Sequence, residues 1–120
     1  MSEASPGKLL LTLLRAWNEP DSGARDTILD EAVAASFLYE DPHAPAPFEG
    51  RDGMAQYLSI FRQNLPDAEL HPVEAPKVTH GTALVSARLD RSGRKFARLI
   101  FIGQADAGAL TRVTGFVESE

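Results

Sequence analysis

Helical periodicity fills the first half of this chain and gives way to period-two alternation after Pro66, and that one change restricts the fold more than any other feature. Ser5-Pro6 reads as a helix cap followed by a proline at the first helical position, and Leu9, Leu10, Leu13, Leu14 and Trp17 then recur on one stripe. Asn18-Glu19-Pro20-Asp21 breaks this helix. Asp21 can cap a second one, whose inward face is Ala24, Ile28, Leu29, Ala32 and Val33. A short apolar run, Phe37-Leu38-Tyr39, predicts a strand ending at Asp41, and the prolines at 42, 45 and 47 keep the chain irregular as far as Phe48. Asp52, in Gly50-Arg51-Asp52-Gly53, is expected to cap a third helix carrying Met54, Tyr57, Leu58, Phe61 and Leu65.

The alternating runs that follow, Ala68 to Val73, Lys77 to His80, Thr82 to Asp90, Lys95 to Gln104 and Leu110 to Val117, predict antiparallel strands. Asp90-Arg91-Ser92-Gly93-Arg94 and Ala105-Asp106-Ala107-Gly108-Ala109 are the expected hairpin connections, with glycine free to take positive φ. Three helices followed by a meander predict an α+β fold, in which a cone-like, curved and mostly antiparallel sheet is covered by the N-terminal helices. The chain reads as one domain over residues 1–120, with an ordered core over about 6–118 and loose ends beyond it.

Composition removes several function classes. Twelve basic residues stand against seventeen acidic ones and are scattered along the chain, which argues against a nucleic-acid partner. With no cysteine there is neither a thiol nucleophile nor a thiolate metal site, and His43, His71 and His80 lack paired ligand spacing, so no metal and no cofactor is expected. The apolar run Leu9 to Leu14 is too short to span a bilayer, so no membrane partner is expected and the cytoplasm is the expected compartment.

Asp41 is the residue on which a functional reading turns. In an extended segment Phe37, Tyr39 and Asp41 share one face while Leu38 and Glu40 share the other, which puts one acid at the end of an aromatic wall. Two roles fit it: a general base in a water-poor cavity, or a turn residue whose carboxylate caps the proline-rich loop. His43 lies close by and is the second candidate catalytic residue, as histidine is a common proton carrier.

The element order, together with Ala16-Trp17-Asn18 at the end of helix one, Glu40-Asp41-Pro42, Gly50-Arg51-Asp52 and Arg112-Val113-Thr114-Gly115-Phe116, resembles the nuclear transport factor 2-like superfamily. The resembled branch is the SnoaL-like one, which includes ketosteroid isomerases and polyketide cyclases. It implies a pocket between helices and sheet, with Asp41 in the place of the isomerase base. In those isomerases a tyrosine and a protonated aspartate stabilise the enolate oxygen. Here the corresponding positions fall near Leu13 and at Ile100, so the ordinary steroid-isomerase mechanism is not expected.

Trp17, Tyr39, Tyr57 and Phe61 are the candidate aromatic wall of that pocket, with Ile100 as a lining residue. Arg88 or Arg98, if inward, would suit an anionic ligand; the plainer alternative puts them on the outer face of the sheet or across a dimer contact. Ala97, Leu99 and Phe101 on one parity and Phe96, Ile100 and Ile102 on the other give the sheet two apolar faces, so a homodimer is expected to cover the second. The resulting expectation is a pocket for a small apolar organic molecule, worked by an isomerase, cyclase or lyase through Asp41, or else a non-catalytic binding or interaction module.

Overall fold

The computed structural model describes residues 5–44 and 46–118. Met1 to Ala4, Pro45 and the last two residues, on which the expectation of loose ends and part of the proline-loop reading fall, lie outside the described residues. Helix α1 runs over Pro6–Asn18 and α2 over Ser22–Ala32. The Ser5 hydroxyl accepts from the Lys8 N–H at 3.2 Å and the Asp21 carboxylate from the Ala24 N–H at 2.8 Å, so both helices begin where the capping residues predict. Leu9, Leu10, Leu13, Leu14 and Trp17 are all buried, as their spacing requires.

Strand β1 (Val33–Glu40) follows α2 without a loop. Val33, expected on the inner face of α2, is instead the first residue of this strand and remains fully buried. The two-residue strand β2 (Phe48–Glu49) interrupts the predicted irregular stretch, because Phe48 reaches back to pair with Tyr39. Helix α3 (Gly50–Asn64) starts three residues earlier than the Asp52 cap would have it. Glu49 precedes it without a side-chain cap, and Asp52 lies in the first turn, where a carboxylate is favoured by the helix dipole.

Strands β3 (Ala68–Pro72), β4 (Lys77–Thr79), β5 (Thr82–Arg91), β6 (Arg94–Asp106) and β7 (Ala109–Glu118) complete a seven-stranded sheet of order β2-β1-β7-β6-β5-β3, with β4 also on β5. Every pairing is antiparallel except β1 with β7. Both long hairpins turn through two residues of positive φ, Ser92-Gly93 at 52° and 79° and Ala107-Gly108 at the same angles. That geometry matches the twist of the flanking strands. Register shifts at Leu89/Asp90 and Gln104/Ala105 accompany the curvature. The helices cover the concave side, where Ala83, Val85, Ala87 and Leu89 of β5 are buried. No helix among the described residues is long and apolar enough to cross a membrane.

Polar clamps hold the end of α1 over the sheet. Asn18 donates to Leu70 O at 2.8 Å and accepts from Leu70 N at 2.7 Å, closing the free edge of β3 as a further strand would. Arg25, which the helical pattern of α2 did not single out, is buried and donates to the carbonyls of Glu19 and Pro20. Arg62 donates to those of Trp17, Ala68 and Pro66. Guanidinium groups suit the C-terminal end of a helix, where carbonyls lack intrahelical partners. We predict that Asn18→Ala, which removes both edge bonds, lowers stability by about 1–3 kcal/mol, read as a reduced urea midpoint at unchanged slope.

Candidate functional site

A cavity of about 680 Å³ opens between α1, α3 and the concave end of the sheet. Its one carboxylate among the described lining residues is positioned by β1. Phe37 and Tyr39 point inward from alternate positions and are each 1% exposed. Asp41 follows on the same face, just past the end of the strand. Its Oδ2 accepts from Tyr39 Oη at 2.7 Å and from Tyr57 Oη at 2.8 Å. Its Oδ1 accepts from the backbone N–H groups of His43 and Ala44, both at 2.9 Å. One carboxylate therefore lines the cavity and also caps the loop. Four donors meet the roughly four lone-pair directions that a carboxylate offers.

The rings around this carboxylate form one contiguous cluster. Trp17 lies edge-on to Tyr39 and Tyr57, with centroids 5.8 and 6.0 Å away, and 5.4 Å from Phe101. Tyr39 and Tyr57 are 4.7 Å apart, and Phe48 packs edge-on to Tyr57 at 5.3 Å. Burial, and after it the neighbouring Tyr57 and Asp41 groups, push the Tyr39 phenol well above its ordinary pKa; burial and then the Asp41 charge push Tyr57 the same way. Both phenols therefore stay protonated and act as donors to the carboxylate. Phe61 lines the cavity from α3, and His43 lines it while itself exposed.

Arg88, Arg98 and Ile100 are not part of the cavity. On β6 the inward parity is Ala97, Leu99 and Phe101, which puts Arg98 and Ile100 on the convex face. Arg88 and Arg98 oppose each other across β5 and β6. Arg88 bonds Asp90 through two nitrogens at 2.8 and 3.0 Å, and Arg98 pairs with Glu118 at 3.7 Å. This is the plainer of the two placements the sequence allowed. Leu13 is likewise a core residue, fully buried, and does not reach the cavity. The inward neighbours of Ile100 are Leu99 and Phe101, so the cavity wall carries no second acid at that level.

Sequence reading missed Phe48, Leu99 and Phe101 as lining residues, and it missed the part played by Gly115. A Cβ at Gly115 would stand 3.1 Å from Tyr39 Oη, 3.3 Å from Asp41 Cβ and 3.3 Å from the Phe101 ring. Strand β7 thus passes close beneath the tyrosine–carboxylate pair, and a side chain there would force these neighbours to shift by a few tenths of an ångström.

No protein-family model matches the chain, and no curated protein is similar to it in sequence. Solved structures are similar to it over nearly its whole length. A candidate isomerase of the SnoaL-like family from Agrobacterium tumefaciens shares 26% identity at a TM-score of 0.86, over 92% of this chain and 95% of that one. The chain belongs to the nuclear transport factor 2-like superfamily. A candidate ketosteroid isomerase from Kribbella flavida (19% identity, TM-score 0.74, 96% of this chain and 78% of that one) shares the nuclear transport factor 2-like fold. So does a candidate polyketide cyclase from Sinorhizobium meliloti (18% identity, TM-score 0.71, 89% and 92%).

Tyr39 and Tyr57 are the chain's two tyrosines, so a spectroscopic titration of this nuclear transport factor 2-like protein reads its site alone. Their raised pKa values stabilise the fold fully below the unfolded value of about 10, and that contribution is lost as pH rises beyond it, because the unfolded chain releases its phenolic protons first. We predict that tyrosinate absorbance appears only together with the loss of far-ultraviolet circular dichroism. A tyrosinate signal near pH ~10 in the folded protein would contradict the buried cluster.

Proposed function

We propose that this protein binds a small, mostly apolar organic molecule over Asp41 and moves a proton on it, as an isomerase, cyclase or lyase does. The observation that carries the reading is a lone carboxylate at the floor of an aromatic cavity, held by two phenols that stay protonated. The likeness to a candidate isomerase of the SnoaL-like family supports it. With all four acceptor directions occupied, Asp41 can take a proton only when one donor lets go. The Tyr57 hydroxyl is the suitable one, because it can rotate on its C–O bond towards a ligand carbonyl. That single rotation frees a lone pair on Oδ2 and places a neutral donor on the oxygen where charge develops. The carbon acid's proton then passes to Oδ2, its electron pair moves to the carbonyl oxygen to give an enolate hydrogen-bonded by Tyr57, and Asp41 returns the proton at another carbon.

A binding-only role is favoured by one observation, the pair of backbone donors from His43 and Ala44 that tie Oδ1 to the loop. Substitution separates the two readings once a ligand has been found by thermal shift against a metabolite library. Asp41→Asn keeps the side-chain shape, and its amide can donate to the tyrosine oxygens. Under the catalytic reading the variant folds and binds the ligand with affinity within about threefold of the parent, while turnover falls by roughly 10²–10⁴. Under the binding-only reading the hit is not turned over by either protein, and the variant loses only about 0.5–2 kcal/mol of stability.

We also propose that the convex face, where Leu84, Ile100 and Ile102 are half-buried, is covered by a second copy of the chain. Light scattering at micromolar concentration is expected to give twice the 13.0 kDa chain mass, and a monomeric mass counts against the interface.

A further inference from the structure

The cavity's charge and its ring content point to a class of ligand that shape alone does not specify. Among the described residues lining it there is no lysine and no arginine, and Asp41 is the one carboxylate. None of the ion pairs described involves Asp41, and its four donors are two hydroxyls and two backbone N–H groups, all neutral. Its charge is therefore solvated by the protein but not neutralised by it. Every aromatic side chain of the chain except Phe37 lines the same cavity. Such rings present negative faces or positive edges according to orientation, and a cation lodged among several of them finds faces to meet.

We infer that the cavity selects an organic cation, an alkyl- or arylammonium, over an uncharged molecule of the same shape. This rests on the reading that the cavity binds a small molecule, and it adds the sign of that molecule's charge. A weakly hydrated ammonium loses little on leaving water and gains both from the ring faces and from an uncompensated carboxylate in surroundings of low polarity. An anion meets the reverse, with no lysine or arginine among the described lining residues to receive it. The chain's net charge of −5 favours the cation further at longer range.

Benzyltrimethylammonium and its all-carbon counterpart neopentylbenzene have the same shape and differ in charge, and neither titrates. Their binding to the full chain is to be compared by calorimetry, at a pH where ordinary imidazoles are neutral. The emission of Trp17, the single tryptophan and a wall of the cavity, reports whether the probe is there. The expected result is binding of the cation at least tenfold tighter than that of the hydrocarbon, with a change in Trp17 emission. In Asp41→Asn the preference is expected to fall to about twofold or less while the hydrocarbon still binds. Should that variant fail to fold, the comparison in the parent protein decides by itself. Equal or tighter binding of neopentylbenzene overturns the charge preference and leaves the binding pocket standing. Heat without a change in Trp17 emission places the cation elsewhere and overturns the proposal, and no binding of either probe overturns the proposal and the pocket together.

Discussion

A carboxylate at the floor of an apolar cavity has to be met by donors, and much of the local structure around Asp41 follows from that requirement. Two donors come from the backbone, which fixes the path of the chain through His43 and Ala44. The other two are phenols, which brings Tyr57 of α3 against Tyr39 of β1 and so sets the distance between helix and sheet. The absence of a side chain at Gly115 completes the arrangement by letting β7 pass close underneath.

Much of this architecture was legible in the sequence, for a physical reason. Helix caps act over three residues and amphipathic stripes over one or two turns, so Ser5, Asp21 and the α1 leucines announce themselves locally. The site was legible where it depends on alternation along one strand, as in Phe37, Tyr39 and Asp41. It was illegible where it depends on which parity of a two-sided apolar strand faces inward. Residues 96–102 carry apolar side chains on both parities, and nothing local distinguishes Leu99 and Phe101 from Ile100. The choice is made by packing against β5 and the helices, a long-range contact that alternation does not encode. Arg25 escaped for a similar reason, because its burial depends on carbonyls left open by a different helix.

The fold is shared with proteins described as isomerases and cyclases, but fold alone does not carry chemistry. What distinguishes this chain is the content of the wall. Leu99 and Phe101 stand where an acidic donor would have to project, and the two tyrosine hydroxyls meet instead at Asp41.

The parallel pairing of β1 with β7 joins the first strand of the chain to its last, with Glu40 opposite Thr114. The antiparallel hairpins from β5 to β7 close through two-residue turns, whereas the partners of this pairing lie 74 to 77 residues apart in the chain. Local pairings of low contact order form ahead of such a distant one. Asp41 extends from β1 and Gly115 sits on β7, so the floor of the cavity comes into being only when the two ends of the fold meet. A nascent or partly folded chain therefore carries no assembled site, and the aromatic cavity exists only in molecules that have finished folding.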